Sequence, residues 1–258
     1  MALEWTASYL GGLVLGLGRL GGLVTFAPFF SSGVVPRQIR VILAFVLTFS
    51  LFPLIEDAYA VIPRDLLGFF LILVREFLVG CVIGLTAKIV FAAMDVAGQV
   101  MGFQVGFGFI HAVDPQTQVE SPFMSLLLNL TALVLFLQLG GHHWLIEAVV
   151  RSYDSPIWGA RAPGALLDHF VPAVAEAFRI GFQIAAPLVV MMFVADILFG
   201  VLGRTAPQIH ILVVGMSGKL LLGFFLLAAT SYTLIPQVAH HVSGIEASLV
   251  RLLEILRE

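Results

Sequence analysis

Nine charged side chains fall within or at the edge of long apolar runs: Arg19, Arg75, Glu76, Lys88, Asp95, Glu176, Arg179, Asp196 and Lys219. A charge at the centre of a membrane helix costs about 2.5–3.5 kcal/mol on the insertion scale. Each must therefore pair, face water or be buried against protein. Two chemistries compete for them. In the first, Asp95, Glu176 and Asp196 carry protons or ions along a transport path. In the second, the charges are structural pairs, such as Arg75 with a neighbouring acid, or Glu176 with Arg179 three residues on along one helix face.

Other motifs carry less. Gly215-Met216-Ser217-Gly218 fits the short serine motif of rhomboid-like membrane proteases. Such a serine needs a histidine on a neighbouring helix, and the only later ones are His240 and His241, beyond the last apolar run. His142-His143 with Glu147 has the composition of a metal cluster, but not the His-Glu-x-x-His spacing. Gly218-Lys219 is no phosphate loop, because Val213 stands where a glycine is needed and Leu220 follows the lysine. These residues point to no catalytic site, metal or cofactor, and the chain reads as a non-enzyme.

The elements that must position these charges are helices in lipid. The chain has 258 residues, of which 60% are hydrophobic and 11% charged, and a mean hydropathy of +1.04. Soluble domains carry about 25% charge, so a soluble globular enzyme and a disordered chain are both excluded. The net charge of −3 comes without a basic stripe, which excludes nucleic acid as a partner. Cys81 is the lone cysteine, so no intrachain disulfide forms. Met1-Ala2-Leu3-Glu4 lacks the basic start of a signal peptide, and the first apolar run is expected to be a retained anchor.

Apolar runs are expected at Leu10 to Phe30, Val41 to Ile55, Leu66 to Ala87, Ile89 to Val113, Pro122 to Leu139, Phe170 to Gly203 and Leu212 to Ile235. About 20 apolar residues cross a bilayer, which gives six or seven segments, the doubt being whether Leu66 to Val113 is two spans or one hairpin. Arg37 and Arg40 favour an intracellular first loop, and Arg251 and Arg257 an intracellular C-terminus. With the N-terminus outside, this closes for seven crossings. A long polar loop is expected from Gly140 to about His169. Ile245, Leu249, Leu252, Leu253 and Leu256 then recur at helical spacing, predicting a short amphipathic helix on a membrane surface or a partner. Gly12/Gly16, Gly18/Gly22, Gly80/Gly84 and Gly98/Gly102/Gly106 stand at the four-residue spacing that lets helices approach closely in lipid.

One segment reads as a device. Residues 106–122 are GFGFIHAVDPQTQVESP. Phe107, Phe109, Ile110 and Val113 stand between glycines and a polar turn, and Asp114-Pro115 interrupts any helix. Irregular backbone at membrane depth survives where protein buries it or where it borders water. A pore constriction fits this pattern, and an ordinary re-entrant or extracellular loop fits it equally.

Taken in order, several blocks resemble the FliR family of flagellar export-gate proteins and their counterparts in virulence secretion systems. They are Arg19, Ala27-Pro28-Phe29-Phe30, Pro36 and Arg40; Glu76, Gly80 and Gly84; and Gly98-Gln99, Gln104-Val105-Gly106 and Asp114-Pro115. Next come Phe136-Leu137, Gly141-His142-His143, Ser152-Tyr153 and Pro156, then Ala186-Pro187, Asp196, Gly200, Arg204, Pro207-Gln208 and Lys219. Ile209-His210 stands where the family often carries Asn.

The resemblance implies an all-α polytopic membrane protein of kinked helical hairpins. A FliP-like part would cover residues 1–169, a FliQ-like hairpin residues 170–239, and an amphipathic helix residues 240–258. It implies FliP, FliQ and a FlhB-like protein as partners, unfolded flagellar subunits as cargo, and a place in the bacterial inner membrane at the flagellar basal body. Gly106, Phe107, Gly108, Phe109, Ile110, Val113, Asp114 and Pro115 would then be the pore plug. Arg19, Arg75, Glu76, Lys88, Asp95, Glu176, Arg179, Asp196, Arg204 and Lys219 would be buried charges that serve assembly. A secondary transporter using those charges is the competing function.

Overall fold

Apolar residues on every side of a helix signal burial in lipid or protein, and the longest helices here have that pattern. The computed structural model describes residues 2–31, 35–59, 63, 65–106, 123–153, 162–205 and 211–257. Those residues form helices joined by turns, with no strand among them. In chain order they are α1 (Ala2–Phe26), α2 (Pro28–Ser31), α3 (Arg37–Ile55), a 3₁₀ turn (Glu56–Tyr59), α4 (Leu66–Val105), α5 (Phe123–Gln138), α6 (Gly141–Arg151), α7 (Ala162–Thr205) and α8 (Ile211–Arg257). This is an all-α polytopic membrane protein.

Several boundaries differ from the sequence expectation. Leu66 to Ala87 and Ile89 onward are one 40-residue helix, α4. Lys88 suggested a border, but its side chain is exposed, with Nζ 5.7 Å from the Phe26 ring centroid, and the backbone runs on past it. The supposed loop after Gly140 contains α6. Gly140 makes the turn at φ 77°, and Leu145, Ala148 and Val149 are buried. The C-terminal apolar stripe is the last part of the 47-residue α8, which continues through Pro236. Its residues Ile245, Leu249, Leu252, Leu253 and Leu256 are buried within the chain.

The count of crossings changes accordingly. Among the described residues five helices are long and apolar enough to cross a membrane, against the six or seven expected. A sixth is the pair α5 and α6, if these two helices, bent by 66°, make one span.

The chain divides into two compact units. The first comprises Met1–Ile89, Phe136–Ala173 and Ser243–Glu258. There α1 packs on α3 and the 3₁₀ turn through Leu15, Phe52, Ile55 and Tyr59, with Tyr9 edge-on to Phe52. The glycines set the approach of α1 to α4. A Cβ on Gly80 would overlap the Arg19 carbonyl, and one on Gly22 the Phe77 carbonyl. A Cβ on Gly84 would lie 2.9 Å from the Leu23 carbonyl oxygen.

The second unit comprises Val90–Leu135 and Val174–Val242. Its core is rich in methionine, with Met94, Met101, Met124 and Met192 fully buried beside Ile184 and Leu188. Methionine fills irregular gaps between helices. A Cβ on Gly98 would overlap the Ser125 backbone, which fixes the crossing of α4 and α5. α7 and α8 run antiparallel, since Asp196 meets Lys219 and Phe199 lies against Gly218.

Candidate functional site

The first unit holds a buried ion pair. Arg19 on α1 is 4% exposed and Glu76 on α4 is 6% exposed, so neither charge has bulk water to stabilise it. They meet in a two-pronged contact, Nε to Oε2 at 2.6 Å and Nη2 to Oε1 at 2.9 Å. Arg19 Nη1 donates to Ser152 Oγ at 2.7 Å, just beyond α6. The guanidinium lies 3.6 Å from the Tyr153 ring centroid. Tyr59 Oη donates to Glu76 Oε2 at 2.9 Å, and the two phenol oxygens of Tyr59 and Tyr153 are hydrogen-bonded at 3.1 Å.

A buried pair survives only when further hydrogen bonds occupy its remaining donors and acceptors, and Ser152, Tyr59 and Tyr153 do so here. Burial pushes the Tyr153 phenol up to about 12. Burial, with Tyr153 and Glu76 alongside, raises Tyr59 as well. Both tyrosines lie outside the membrane-spanning helices and stay neutral at physiological pH. Sequence inspection paired Glu76 with no partner at a distance. Ser152-Tyr153 belongs to the blocks that resemble the family, whereas Tyr59 carries no signal in the sequence, because its contacts are 17 and 94 residues away along the chain.

The second unit holds the other charges. Asp196 on α7 takes Lys219 Nζ at 2.7 Å on Oδ1 and accepts Gln104 Nε2 at 3.0 Å on Oδ2. Asp95 accepts from Asn129 Nδ2. Glu176 and Arg179 form an exposed pair on one face of α7. So each acid of the transport reading is engaged by a side chain of its own unit. Lys88 and Arg204 are exposed and Arg75 is half-buried.

α4 ends at Val105, and Gly106 follows with φ 105°, a left-handed conformation that favours glycine. Among the described residues nothing lies within 4 Å of a Cβ built there. Phe107, Gly108, Phe109, Ile110, Val113, Asp114 and Pro115 lie outside the described residues. Among the described residues no three His, Cys, Asp or Glu are grouped to hold a metal ion. Ser217 and the pair His240-His241 are separated by 23 or more residues of the single helix α8, about 35 Å at 1.5 Å per residue, and make no catalytic dyad.

Comparison with known proteins agrees with this architecture. The family model for bacterial export proteins, family 1, matches residues 10–245. The chain is similar to the flagellar biosynthetic protein FliR of Escherichia coli, at 30% identity over 246 residues, covering 94% of this chain and 91% of that protein. The FliR of Bacillus subtilis is 30% identical over 213 residues, 81% of this chain and 82% of its own length. The FliR of Caulobacter vibrioides is 28% identical over 211 residues, 81% and 84% respectively.

Proposed function

The chain belongs to the bacterial export proteins, family 1, to which its FliR relatives point, and from that premise we propose that it forms the flagellar export pore with FliP and FliQ. The pore lies in the inner membrane at the basal body, with a FlhB-like protein beside it, and unfolded flagellar subunits pass through. Residues 1–169 act as the FliP-like part and residues 170–239 as the FliQ-like hairpin, a division that the antiparallel α7 and α8 support.

The segment from Gly106 to Pro122 is the plug. The observation that carries this reading is the end of α4: a buried Val105, then a left-handed glycine with no described neighbour near its Cβ position. The chain there leaves a packed helix on a swivel and enters an apolar stretch. Phe107, Phe109, Ile110 and Val113 make the constriction costly to wet, which resists ions and water. Gly106 and Gly108 let a passing chain displace it. The protein supplies a barrier and a path, and the driving energy comes from partners or the proton gradient.

Replacing Phe107, Phe109, Ile110 and Val113 together by Gly and Ser tests the plug. The expected outcome is a leak of small ions across membranes that carry a normally assembled complex. Unchanged ion conductance, with the complex present in normal amount, would remove the plug role.

A further inference from the structure

α3 has two unlike faces. Ala44, Thr48, Phe52 and Ile55 are buried, and Thr48 and Phe52 lie against Gly16 and Gly12 of α1. Ile39, Ile42, Phe45, Val46 and Phe49 recur every three or four residues on the other side and are all more than half exposed. Ser50 is the one polar residue among the exposed positions between Arg40 and Glu56. That stretch carries no charge, whereas Arg37 and Arg40 precede it and Glu56-Asp57 follow it. Length sets α3 apart from α4, α7 and α8. Its 19 residues reach about 28 Å, close to the hydrocarbon core of a bilayer at about 30 Å. α1, the helix it packs on, is the more enclosed of the two, with 44% of Tyr9–Phe26 buried against 22% of Arg37–Ile55.

We propose that the outer face of α3 contacts lipid and that Arg37 and Arg40 bind the headgroups of anionic phospholipid. A bilayer matches the face in chemistry, because acyl chains between two headgroup layers call for an apolar stripe with charge only at its ends. It also matches in length. The uncharged part from Val41 to Ile55 is about 22 Å long, short of a span, and the arginines supply the difference. A side chain in the first turn leans towards the helix N-terminus. The methylene stems of Arg37 and Arg40 thus extend the apolar cover while their guanidinium groups reach the phosphate level. Arg40 has this direction: its Nε donates to the Val35 carbonyl, N-terminal to α3, at 3.0 Å. A guanidinium suits phosphate because its paired N–H groups meet two oxygens, and each basic residue close to anionic lipid strengthens binding about fivefold. The contact does not depend on the plug or on what the assembled protein passes.

The test uses the full chain in its native complex, with a photoreactive benzophenone side chain in place of Phe45. In cell membranes, illumination is expected to give lipid adducts of the chain. A cross-link to a protein subunit instead overturns the lipid face. The same complex is then placed in vesicles of equal parts phosphatidylglycerol and phosphatidylcholine, and the adducts are identified by mass spectrometry. Phosphatidylglycerol adducts are expected to exceed phosphatidylcholine adducts severalfold. Arg37→Gln with Arg40→Gln is expected to bring the two towards equality. Arg37→Lys with Arg40→Lys, which keeps the charge, is expected to retain a clear excess. Equal adducts with both arginines present overturn the headgroup site, and so does an excess that survives the glutamine pair. The readings with both arginines present decide the proposal even if the glutamine pair fails to assemble.

Discussion

At the scale of single residues, the Arg19–Glu76 pair is the most demanding feature of the chain. Two charges with almost no exposure are tolerable because Ser152, Tyr59 and Tyr153 complete their hydrogen bonds. Removing one partner leaves the other charge buried and alone, which costs about 3–5 kcal/mol. Glu76→Leu is therefore expected to lower the resistance of the detergent-solubilised protein to unfolding by about that amount, read from denaturant titration. Glu147→Ala removes only an exposed pair with Arg151 and is expected to change little, since such pairs contribute about 0.3–0.5 kcal/mol. The tyrosines add a dependence on pH. A free phenol titrates near 10, and Tyr153 is held up to about 12. The folded state thus keeps the proton that the unfolded state gives up. The stabilisation is complete below about pH 10 and is lost as pH rises from there towards 12. Thermal unfolding measured from pH 9 to 12 is expected to show this fall, and Tyr153→Phe to make it shallower.

At the scale of elements, close approach decides which helices cross. A Cβ on Gly80 would meet backbone atoms of Arg19 and Leu23, and backbone cannot step aside as a flexible side chain can. Gly80→Ala is expected to cost about 1–3 kcal/mol through overpacking. Gly21→Ala, on the same helix as Arg19, has nothing among the described residues within 4 Å of its Cβ. It is expected to be neutral or to stabilise by about 0.5–1 kcal/mol. Chemical denaturation of the two variants side by side checks the contrast.

The four-residue spacing of Gly18, Gly22, Gly80 and Gly84 was readable in the sequence, because that spacing follows from helix geometry alone. Which helix meets which was not, because residues 57 positions apart in the chain meet only after folding. The same limit explains α6. His142, His143, Glu147 and Arg151 made the stretch read as a polar loop, although Leu145, Ala148 and Val149 carry the spacing of one buried helix face. Lys88 misled in the opposite direction. It suggested a break, yet one exposed charge leaves a long helix intact when packing holds it on both sides.

At the scale of the molecule, length is the informative quantity. α4, α7 and α8 contain 40, 44 and 47 residues, about 60 to 70 Å each at 1.5 Å per residue. The hydrocarbon core of a bilayer is about 30 Å thick. Fitting a 60 Å helix into it would need a tilt of about 60°, beyond the usual range of roughly 0–40°. Large side chains remain exposed along these helices, among them Leu66, Phe70, Phe103, Phe182, Phe193, Leu221 and Phe225. Much of that surface must face protein instead of lipid, so native mass spectrometry of the gently extracted protein is expected to show a large hetero-oligomer. A monomer or a symmetric homodimer would contradict the export-pore reading and favour a transporter.

The excess helix length also bears on how the cell manages this chain. A newly made copy without its neighbours exposes, outside the bilayer, the kind of greasy surface that membrane proteases and chaperones recognise. Its lifetime is then set by the supply of companions and not by its own fold. In a pulse-chase experiment, cells lacking the companion subunits are expected to clear the chain severalfold faster than cells that make them. Dosage within the machine would in this way be corrected by degradation of the unassembled surplus, with no regulator of synthesis required.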